Sequence, residues 1–335
     1  MYSHDNRVVI TLDAGGTNLV FGAMQANRFI VEPITLPSHA EDLDKCLATM
    51  VEGFRAVISR LSEKPVAISF AFPGPADYPN GIIGGYLPNF PSFRDGVALG
   101  PFLEATFGIP VFINNDGDLF AYGEALGGAL PEVNARLEAL GSPKKYKNLV
   151  GYTFGTGLGA GLILDGRIYT GTNDNAGELG HIRLSDFGPV GYGKCGSFEG
   201  FCSGGGIRQL AQFAVKERLQ MGEKVAWCPE GDPERIDARL VAQAAAEGDV
   251  LALEIYRTSA RYLGRGLSIV IDLINPEMIV IGSIYARNEN LMKPYTEEVI
   301  AREALSHARR VCRVVPAALG EAIGDYAALS VAANA

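Results

Sequence analysis

Short apolar runs alternate with glycine-rich turns along this chain, a pattern typical of strands and helices that share a core. Residues 8–12 and 19–21 are two such runs on either side of a polar, glycine-containing segment, and they predict a β-hairpin. Between residues 43 and 61 apolar side chains recur at steps of three and four, which predicts an amphipathic helix. Ser38 and Glu41 precede that helix at the spacing of a capping box, so we expect it to begin beside them.

The same alternation continues through the rest of the chain. Further apolar, β-rich runs predict strands at residues 66–72, 111–113 and 278–283. Helical spacing predicts helices at residues 207–219, 236–247, 251–273 and 324–333. A second strand, glycine turn and strand occupy residues 149–154, 155–159 and 161–164, about 140 residues after the first such unit, which indicates two lobes of similar design. The charged segment 131–148 lacks a clear period and is predicted to be a surface excursion between the lobes.

Composition narrows the class of protein. With 335 residues, 47% of them hydrophobic and 20% charged, the chain can bury a sizeable core and should form two domains or one large one. A net charge of −9 without a basic face argues against nucleic acid as a partner. No apolar stretch approaches the roughly 18–20 residues that span a bilayer, and the polar start predicts no secretory signal. Five scattered cysteines are typical of reduced thiols, so we expect a cytoplasmic protein.

The two glycine-threonine turns carry the first candidate chemistry. Phosphoryl groups need backbone N–H donors that can come close, and glycine allows that approach. The candidate phosphate-binding residues are Asp13, Gly15, Gly16, Thr17, Gly155, Thr156 and Gly157. Asp13 is suited to orient a water on Mg²⁺ bound to the phosphates. The alternative is that these glycines serve only to turn the chain. The presence of two such turns, each with a threonine, argues against this alternative more strongly than one turn would.

Two other phosphate motifs fit the chain poorly. Residues 155–159 approach the dinucleotide fingerprint, but a strand-like run follows them where a helix should begin. Residues 188–194 read G-x-x-x-x-G-K, but Cys195 stands where a hydroxyl should bind Mg²⁺, and no long apolar strand precedes them. We therefore expect neither a dinucleotide-binding fold nor a P-loop.

Carboxylates and a histidine supply the second candidate chemistry. Asp116 follows the predicted strand 111–113, at the sheet edge where α/β proteins bind ligands, and its carboxylate can accept a proton from a hydroxyl that attacks a γ-phosphate. The alternative is that Asn115 and Asp116 form an Asx turn or a helix cap. Glu178 and His181 stand three apart among glycines, which suits a loop that binds sugar hydroxyls better than a metal-binding helix. A hydrogen-bonded structural role is the alternative for His181.

In this order the motifs resemble the ROK family of sugar kinases (repressor, ORF, kinase) over nearly the whole chain. The motifs are Asp13-Ala14-Gly15-Gly16-Thr17, Pro73-Gly74-Pro75, Pro88-Asn89, Asn115-Asp116, Gly155-Thr156-Gly157-Leu158-Gly159, Ala176-Gly177-Glu178-Leu179-Gly180-His181 and Ile279-Val280-Ile281-Gly282. The resemblance implies an α/β, two-lobed, actin-like (ribonuclease H-like) fold with ATP and sugar in an interlobe cleft. We expect a smaller lobe over 1–118 plus about 320–335, and a larger lobe over 119–319.

The resemblance also implies roles for single residues. Asp116 corresponds to the catalytic base, and Gly282 joins the two turns around ATP. The residues implied to bind the sugar are Asn89, Asn115, Asp116, Glu178, His181 and Glu199. Glu199 follows a short deletion relative to the family pattern. It is matched to the family's sugar-binding glutamate by its spacing from a predicted Ser-Gly helix start at residue 203. Asp118 departs from the asparagine often found there, and a second buried carboxylate would raise the pKa of one of the two.

The largest departure concerns a structural zinc, which the family holds with the histidine matching His181 and three cysteines. Here Gly193 replaces the first cysteine, Cys195 matches the second, and the third is lost with the deletion. Two ligands cannot make a closed four-ligand site, so we predict no structural zinc. The alternative is that Cys202 substitutes for a lost ligand, which the ligand count and spacing disfavour. Packing through Tyr192 and Phe198 is expected to hold the loop instead.

Together these features predict an ATP- and Mg²⁺-dependent kinase that phosphorylates a hexose, glucose or an N-acetylhexosamine, at its 6-hydroxyl. We expect a cytoplasmic homodimer that binds neither nucleic acid nor membrane. The alternative is a catalytically inactive sugar-binding or regulatory protein of the same family. A DNA-binding repressor is disfavoured, because only about twelve residues precede the first turn and the chain is acidic.

Overall fold

The computed structural model describes residues 6–26, 28–74 and 76–319, and these form two compact units. The first unit comprises the described parts of Met1–Pro143, Gly161–Ala176 and Leu319–Ala335, and the second comprises Lys144–Ala160 and Gly177–Ala318. The predicted helix at 324–333 and Pro75 of the Pro-Gly-Pro motif lie outside the described residues. The predicted lobe boundary at 118–119 remains a prediction.

The first unit is an α/β layer structure. In chain order its elements up to residue 143 are β1 (Val9–Ala14), β2 (Asn18–Gln25), β3 (Arg28–Phe29), β4 (Ile34–Pro37), α1 (Leu43–Ile58), β5 (Ala67–Ala71), β6 (Ile82–Ile83), β7 (Val97–Ala98), α2 (Leu99–Phe107), β8 (Val111–Asn114), α3 (Asp116–Leu126) and α4 (Ala129–Ala139). The sheet order is β3-β2-β1-β5-β8, with β4 paired to β2. Strands β1, β5 and β8 are parallel, so their carboxyl ends meet at one edge.

The predicted hairpin is confirmed, because β1 and β2 pair antiparallel with Leu12 opposite Phe21. Phe21 and Phe54 are fully buried, with their ring centroids 5.1 Å apart in an edge-to-face contact that links the sheet to α1. This core fixes β1 and with it the turn that follows.

The remaining chain forms a second sheet and most of the helices. In chain order its elements are β9 (Leu149–Phe154), β10 (Leu158–Leu164), β11 (Arg167–Ile168), β12 (Val190–Gly191), β13 (Lys194–Cys195), α5 (Phe198–Cys202), α6 (Gly204–Gln220), α7 (Ala238–Ala246), α8 (Val250–Ile274), β14 (Met278–Ile281), α9 (Ser283–Arg287), α10 (Glu289–Glu303), α11 (Ser306–Arg309) and β15 (Arg313–Pro316). The sheet order is β11-β10-β9-β14-β15, and β14 is parallel to both β9 and β15. The second strand, glycine turn and strand are therefore confirmed.

One local prediction is wrong. Helix α1 is capped by Asp42, whose carboxylate accepts a hydrogen bond from the Lys45 N–H, and not by a box of Ser38 and Glu41. Segment 131–148 has no buried residue, as a surface segment requires, and α4 covers its first part. That helix buries only Ala129 and Leu130 and so shows no apolar stripe, but its alanine, leucine, glutamate and arginine residues favour helix.

The described helices were also compared with the requirements for crossing a bilayer. None of those in residues 6–319 combines the necessary length with a sufficiently apolar composition.

Candidate active site

The predicted site residues fall into two sets, one in each unit. The first unit holds Asp13, Gly15, Gly16, Thr17, Asn89, Asn115 and Asp116. The second holds Gly155, Thr156, Gly157, Glu178, His181, Glu199 and Gly282. Their individual roles remain predictions.

Two carboxylates lie at one edge of the first sheet. Asp13 pairs with Ala71 of β5, and Ala71 pairs with Asn114 of β8. The Cα atoms of Asp13 and Asn114 are therefore about 10 Å apart, two strand spacings. Asp116 is the first residue of α3, two positions beyond Asn114. The topology thus brings together two acids that are more than a hundred residues apart in sequence.

Asp116 has a perturbed pKa. Burial among protein atoms and the negative charge of Asp13 raise it from 3.8 to about 6, although an α-helix N-terminus by itself favours a carboxylate. Asp116 is nevertheless exposed to solvent, so hydration offsets much of the burial, whereas the charge of Asp13 acts on its carboxyl in either case. Asp118 is buried, but the neighbouring charge that raises the Asp116 pKa is that of Asp13. Partial burial likewise raises the pKa of Asp13, whose carboxylate also remains accessible.

The first glycine-threonine turn is closed by a hydrogen bond from the Gly15 N–H to the Asn18 carbonyl, at 3.0 Å. The hydroxyl of Ser38 donates to the carbonyl of Gly16, and the Ser38 N–H donates to the carbonyl of Thr17 at 3.0 Å. Within the described chain the N–H groups of Gly16 and Thr17 have no hydrogen-bond partner. Two adjacent donors of this kind suit a phosphate oxygen.

Asn89 lies directly against this turn. A Cβ on Gly16 would be 3.0 Å from both the Cβ and the carbonyl oxygen of Asn89, so only glycine allows the approach without a shift. The turn, Asn89 and the residues before α1 line a cavity of about 700 Å³, within the usual range for small-molecule sites. Asn89 and Thr17 are both exposed.

Asn115 is held at the end of β8. Its Oδ1 accepts a hydrogen bond from the Gly117 N–H at 2.7 Å, which makes Asn115 the N-cap of α3. The helix cap considered for this segment in the sequence analysis is therefore present. Its Nδ2 donates to the Tyr78 hydroxyl at 3.4 Å, and that hydroxyl donates to the Phe72 carbonyl at 3.0 Å. A Cβ on Gly74 would collide with the Tyr78 hydroxyl, which explains the glycine of the Pro-Gly motif. Sequence reasoning missed Tyr78.

The second glycine-threonine turn is closed by the Gly155 N–H, which donates to the Gly157 carbonyl at 3.1 Å. Its other carbonyls bind the start of α6: Gly204 N–H donates to Gly155 O at 2.9 Å, and Gly205 N–H donates to Thr156 O at 3.1 Å. The N–H groups of Thr156 and Gly157 have no partner among the described residues. Each turn therefore presents two adjacent N–H donors that have no partner in the part of the chain that the structure describes.

Gly282 ends β14 in the same unit. It is buried, and its N–H donates to the Tyr152 carbonyl at 2.8 Å. The next residue, Ser283, has a φ of 52° and begins α9, so the predicted strand ends at Ile281 and not at residue 283.

Glu199 and Glu178 lie close enough to interact. The Oε2 of Glu199 accepts a hydrogen bond from the Leu158 N–H at 2.9 Å, which ties it to the strand after the second turn. A Cβ on Gly157 would be 2.9 Å from that Oε2, so the glycine leaves room for the carboxylate. Burial and the charge of Glu199 raise the pKa of Glu178. Ser203 caps α6, as the predicted Ser-Gly helix start requires.

His181 is exposed, and its ring lies 6.3 Å from the ring of Tyr192. Tyr192 and Gly193 join β12 to β13 in a two-residue turn with φ angles of 43° and 74°, which favours glycine at 193. Cys195 donates through Sγ to the Gly188 carbonyl at 3.1 Å. Backbone pairing and this thiol hydrogen bond therefore hold the loop. Tyr192 is 41% exposed and Phe198 is fully buried against the ring of Tyr152, so their packing on the loop stays a prediction.

No group of three or more His, Cys, Asp and Glu side chains within residues 6–319 is placed to hold a metal ion. Cys202 is buried, and its nearest polar partner is the Ser259 carbonyl at 3.6 Å. The absence of a structural zinc remains a prediction.

The chain was compared with known proteins. The model of the ROK family matches residues 9–334. A glucokinase of Thermotoga maritima is 29% identical over 295 residues, which cover 87% of each chain. The DNA-binding transcriptional dual regulator NagC of Escherichia coli K12 is 29% identical over 300 residues, 88% of this chain and 68% of the regulator.

Solved structures agree with the sequence comparison. The crystal structure of a glucokinase from Parabacteroides distasonis ATCC 8503 is 38% identical, with a TM-score of 0.81 over 100% of this chain and 99% of its own. The predicted actin-like α/β fold is thereby confirmed. Because the family model covers nearly the whole sequence, the chain belongs to the ROK family.

Proposed function

We propose that this protein is an ATP-dependent sugar kinase that phosphorylates a hexose, glucose or an N-acetylhexosamine, at its 6-hydroxyl. The observation that carries the proposal is the placement of Asp116 and Asp13 at one sheet edge, where the first turn has two N–H groups without a partner among the described residues. The raised pKa of Asp116 agrees with this placement. The glucokinases among the relatives support the same activity.

Asp116 is assigned the role of general base. A pKa of about 6 makes it a stronger base than an ordinary aspartate while leaving it mostly ionised at neutral pH. It would accept the proton of the sugar hydroxyl as that oxygen attacks the γ-phosphorus and the bond to the ADP oxygen breaks. Asn89, Asn115, Glu178, His181 and Glu199 are assigned to the other sugar hydroxyls.

The two turns are assigned to the phosphates of ATP. The unpaired N–H groups of Gly16, Thr17, Thr156 and Gly157 are donors whose orientation is already fixed, so they would stabilise negative charge without rearrangement. Gly282 is assigned to the same nucleotide.

A magnesium ion fits this donor set. Mg²⁺ is usually bound through one or two carboxylates, waters and substrate phosphates, and Asp13 provides an accessible carboxylate beside the first turn. Bound with ATP, the ion would supply positive charge that offsets the charge of the phosphates.

An inactive sugar-binding or regulatory protein is the second candidate. The similarity to NagC supports it, because regulators share this family. The kinase is favoured because Asp13 and both turns are retained, groups that sugar binding alone would not need, together with Asp116.

A coupled assay of ADP release distinguishes the two candidates. We expect ATP-dependent turnover with at least one of glucose, N-acetylglucosamine, N-acetylmannosamine, mannose and fructose, and phosphate on the 6-oxygen by NMR of the product. Sugar binding without ADP release from any of them would support the regulator and contradict the kinase.

The same panel is repeated with a zinc-selective chelator, together with zinc analysis of the purified protein. We expect no zinc and an unchanged melting temperature, since His181 and Cys195 make only half of a closed zinc site. Unfolding by the chelator would contradict the prediction of a zinc-free loop.

A further inference from the structure

We propose that Ser38 is a positioning residue that aims the backbone donors of the first glycine-threonine turn at the nucleotide. This inference rests on the proposed function, because it assumes that the turn binds phosphate. Ser38 belongs to no motif of the family resemblance, and it lies 22 residues from the turn in sequence.

Ser38 binds two successive carbonyls of the turn. It follows β4 directly, and its side chain is only 1% exposed. Its hydroxyl donates to the Gly16 carbonyl, and its N–H donates to the Thr17 carbonyl at 3.0 Å. One buried residue thus holds two successive peptide groups of the turn.

This contact determines where the Thr17 N–H points. The carbonyl of Gly16 and the N–H of Thr17 belong to one planar trans peptide, in which they point in opposite directions. A hydrogen bond that fixes the Gly16 carbonyl towards Ser38 therefore directs the Thr17 N–H away from it. Because glycine leaves the backbone free to rotate, Gly15 and Gly16 cannot hold this orientation by themselves.

The segment that follows Ser38 is fixed by hydrogen bonds to Ser92. Two residues after Ser38, the Ala40 carbonyl accepts hydrogen bonds from the Ser92 hydroxyl at 2.7 Å and from the Ser92 N–H at 3.3 Å. Ser92 is three residues beyond Asn89, which packs on Gly16. The segment from Ser38 to Ala40 therefore anchors the turn to the rest of the cavity wall.

The test compares Ser38→Ala, Ser38→Thr and a control, Ser69→Ala. We expect Ser38→Ala to raise the KM for ATP about tenfold and to leave the KM for the sugar within about twofold, because one hydrogen bond to the turn is lost. Ser38→Thr keeps the hydroxyl and should restore most of the ATP affinity. Ser69 is also fully buried, but its hydroxyl has no partner among the described residues, so Ser69→Ala should change neither constant.

Equal changes in both KM values, or the same effect from Ser69→Ala, would overturn the proposal. If Ser38→Ala does not fold, Ser38→Cys is measured, since it keeps a side chain but weakens the donor. A folded Cys variant with an unchanged KM for ATP also overturns the proposal.

Calorimetry with a non-hydrolysable ATP analogue, without sugar, separates this inference from the proposed function. A wild-type protein that binds the analogue but phosphorylates no sugar contradicts the kinase assignment. In that case a weaker Kd for Ser38→Ala still supports Ser38 as a positioning residue, and an unchanged Kd rejects it. Failure of the wild type to bind the analogue rejects both.

Discussion

Asp116 depends on its sequence neighbour Asn115 and on Asp13, which sequence spacing does not place beside it. Asn115 fixes the start of α3 through its cap, and Asp13 adds a negative charge from another strand. The result is a carboxylate whose pKa is about 6 instead of 3.8, and so a stronger base in its ionised form.

The raised pKa makes stability depend on pH in a defined direction. A folded protein that binds the Asp116 proton more tightly than the unfolded chain loses stability as pH rises from about 4 to about 6, and the loss is complete above that. Asp116→Asn removes the charge, so we expect it to be more stable than the wild type above pH 6, by about 1 kcal/mol after allowance for solvent access. Below pH 4 the difference should vanish. Melting temperatures across this range measure it, and a variant less stable than the wild type at pH 7 would contradict the assigned pKa.

Local motifs identified part of the candidate site from sequence. Asp116 and the two turns stand out because glycine, threonine and aspartate occur together at predicted strand ends. Ser38 and Tyr78 could not be found in this way, because they act through hydrogen bonds to residues 22 and 37 positions away. A lone serine or tyrosine leaves no pattern that indicates such a partner.

At the scale of elements, the start of α6 shows why apolar spacing misplaces a helix boundary that the Ser-Gly motif at residue 203 indicates. Apolar spacing predicts the helix from residue 207, but it begins at Gly204, in a run of three glycines that helix propensity disfavours. The tertiary contact explains this composition. A Cβ on Gly204 would be 2.9 Å from the Gly155 carbonyl oxygen, and one on Gly205 would be 2.9 Å from that of Thr156.

A methyl group added at the start of α6 should therefore also disturb the second glycine-threonine turn. Gly205→Ala is expected to displace the Thr156 carbonyl and to raise the KM for ATP severalfold, although alanine favours helix. Gly127→Ala is the matched control, since its new Cβ would find no atom closer than 3.8 Å. Steady-state kinetics of both variants test this, and an unchanged KM in a folded Gly205→Ala protein would show that the contact does not position the turn.

At the scale of the molecule, the repeated strand, turn and strand indicated the fold class, because each copy begins a sheet with parallel strands. The repeat did not predict which distant segments of the chain belong to the first unit. Residues 161–176 and Leu319 belong to it although they are remote in sequence. Glu124, fully buried, accepts hydrogen bonds from the N–H groups of Ala129 at 2.7 Å and of Leu319 at 3.0 Å, the latter 195 residues away. Such contacts follow from the folded chain and not from any local pattern.

The most direct test is the turnover of Asp116→Asn with the sugar that gives the highest ADP release. We expect kcat to fall at least about a hundredfold, the lower end for loss of a general base, while the Kd for the sugar stays within about threefold of the wild type. Asp118→Asn, the same change two residues along, is the control and should keep most of the activity. Near-normal turnover by a folded Asp116→Asn protein would contradict the assignment of Asp116 as the base on which the proposed reaction depends.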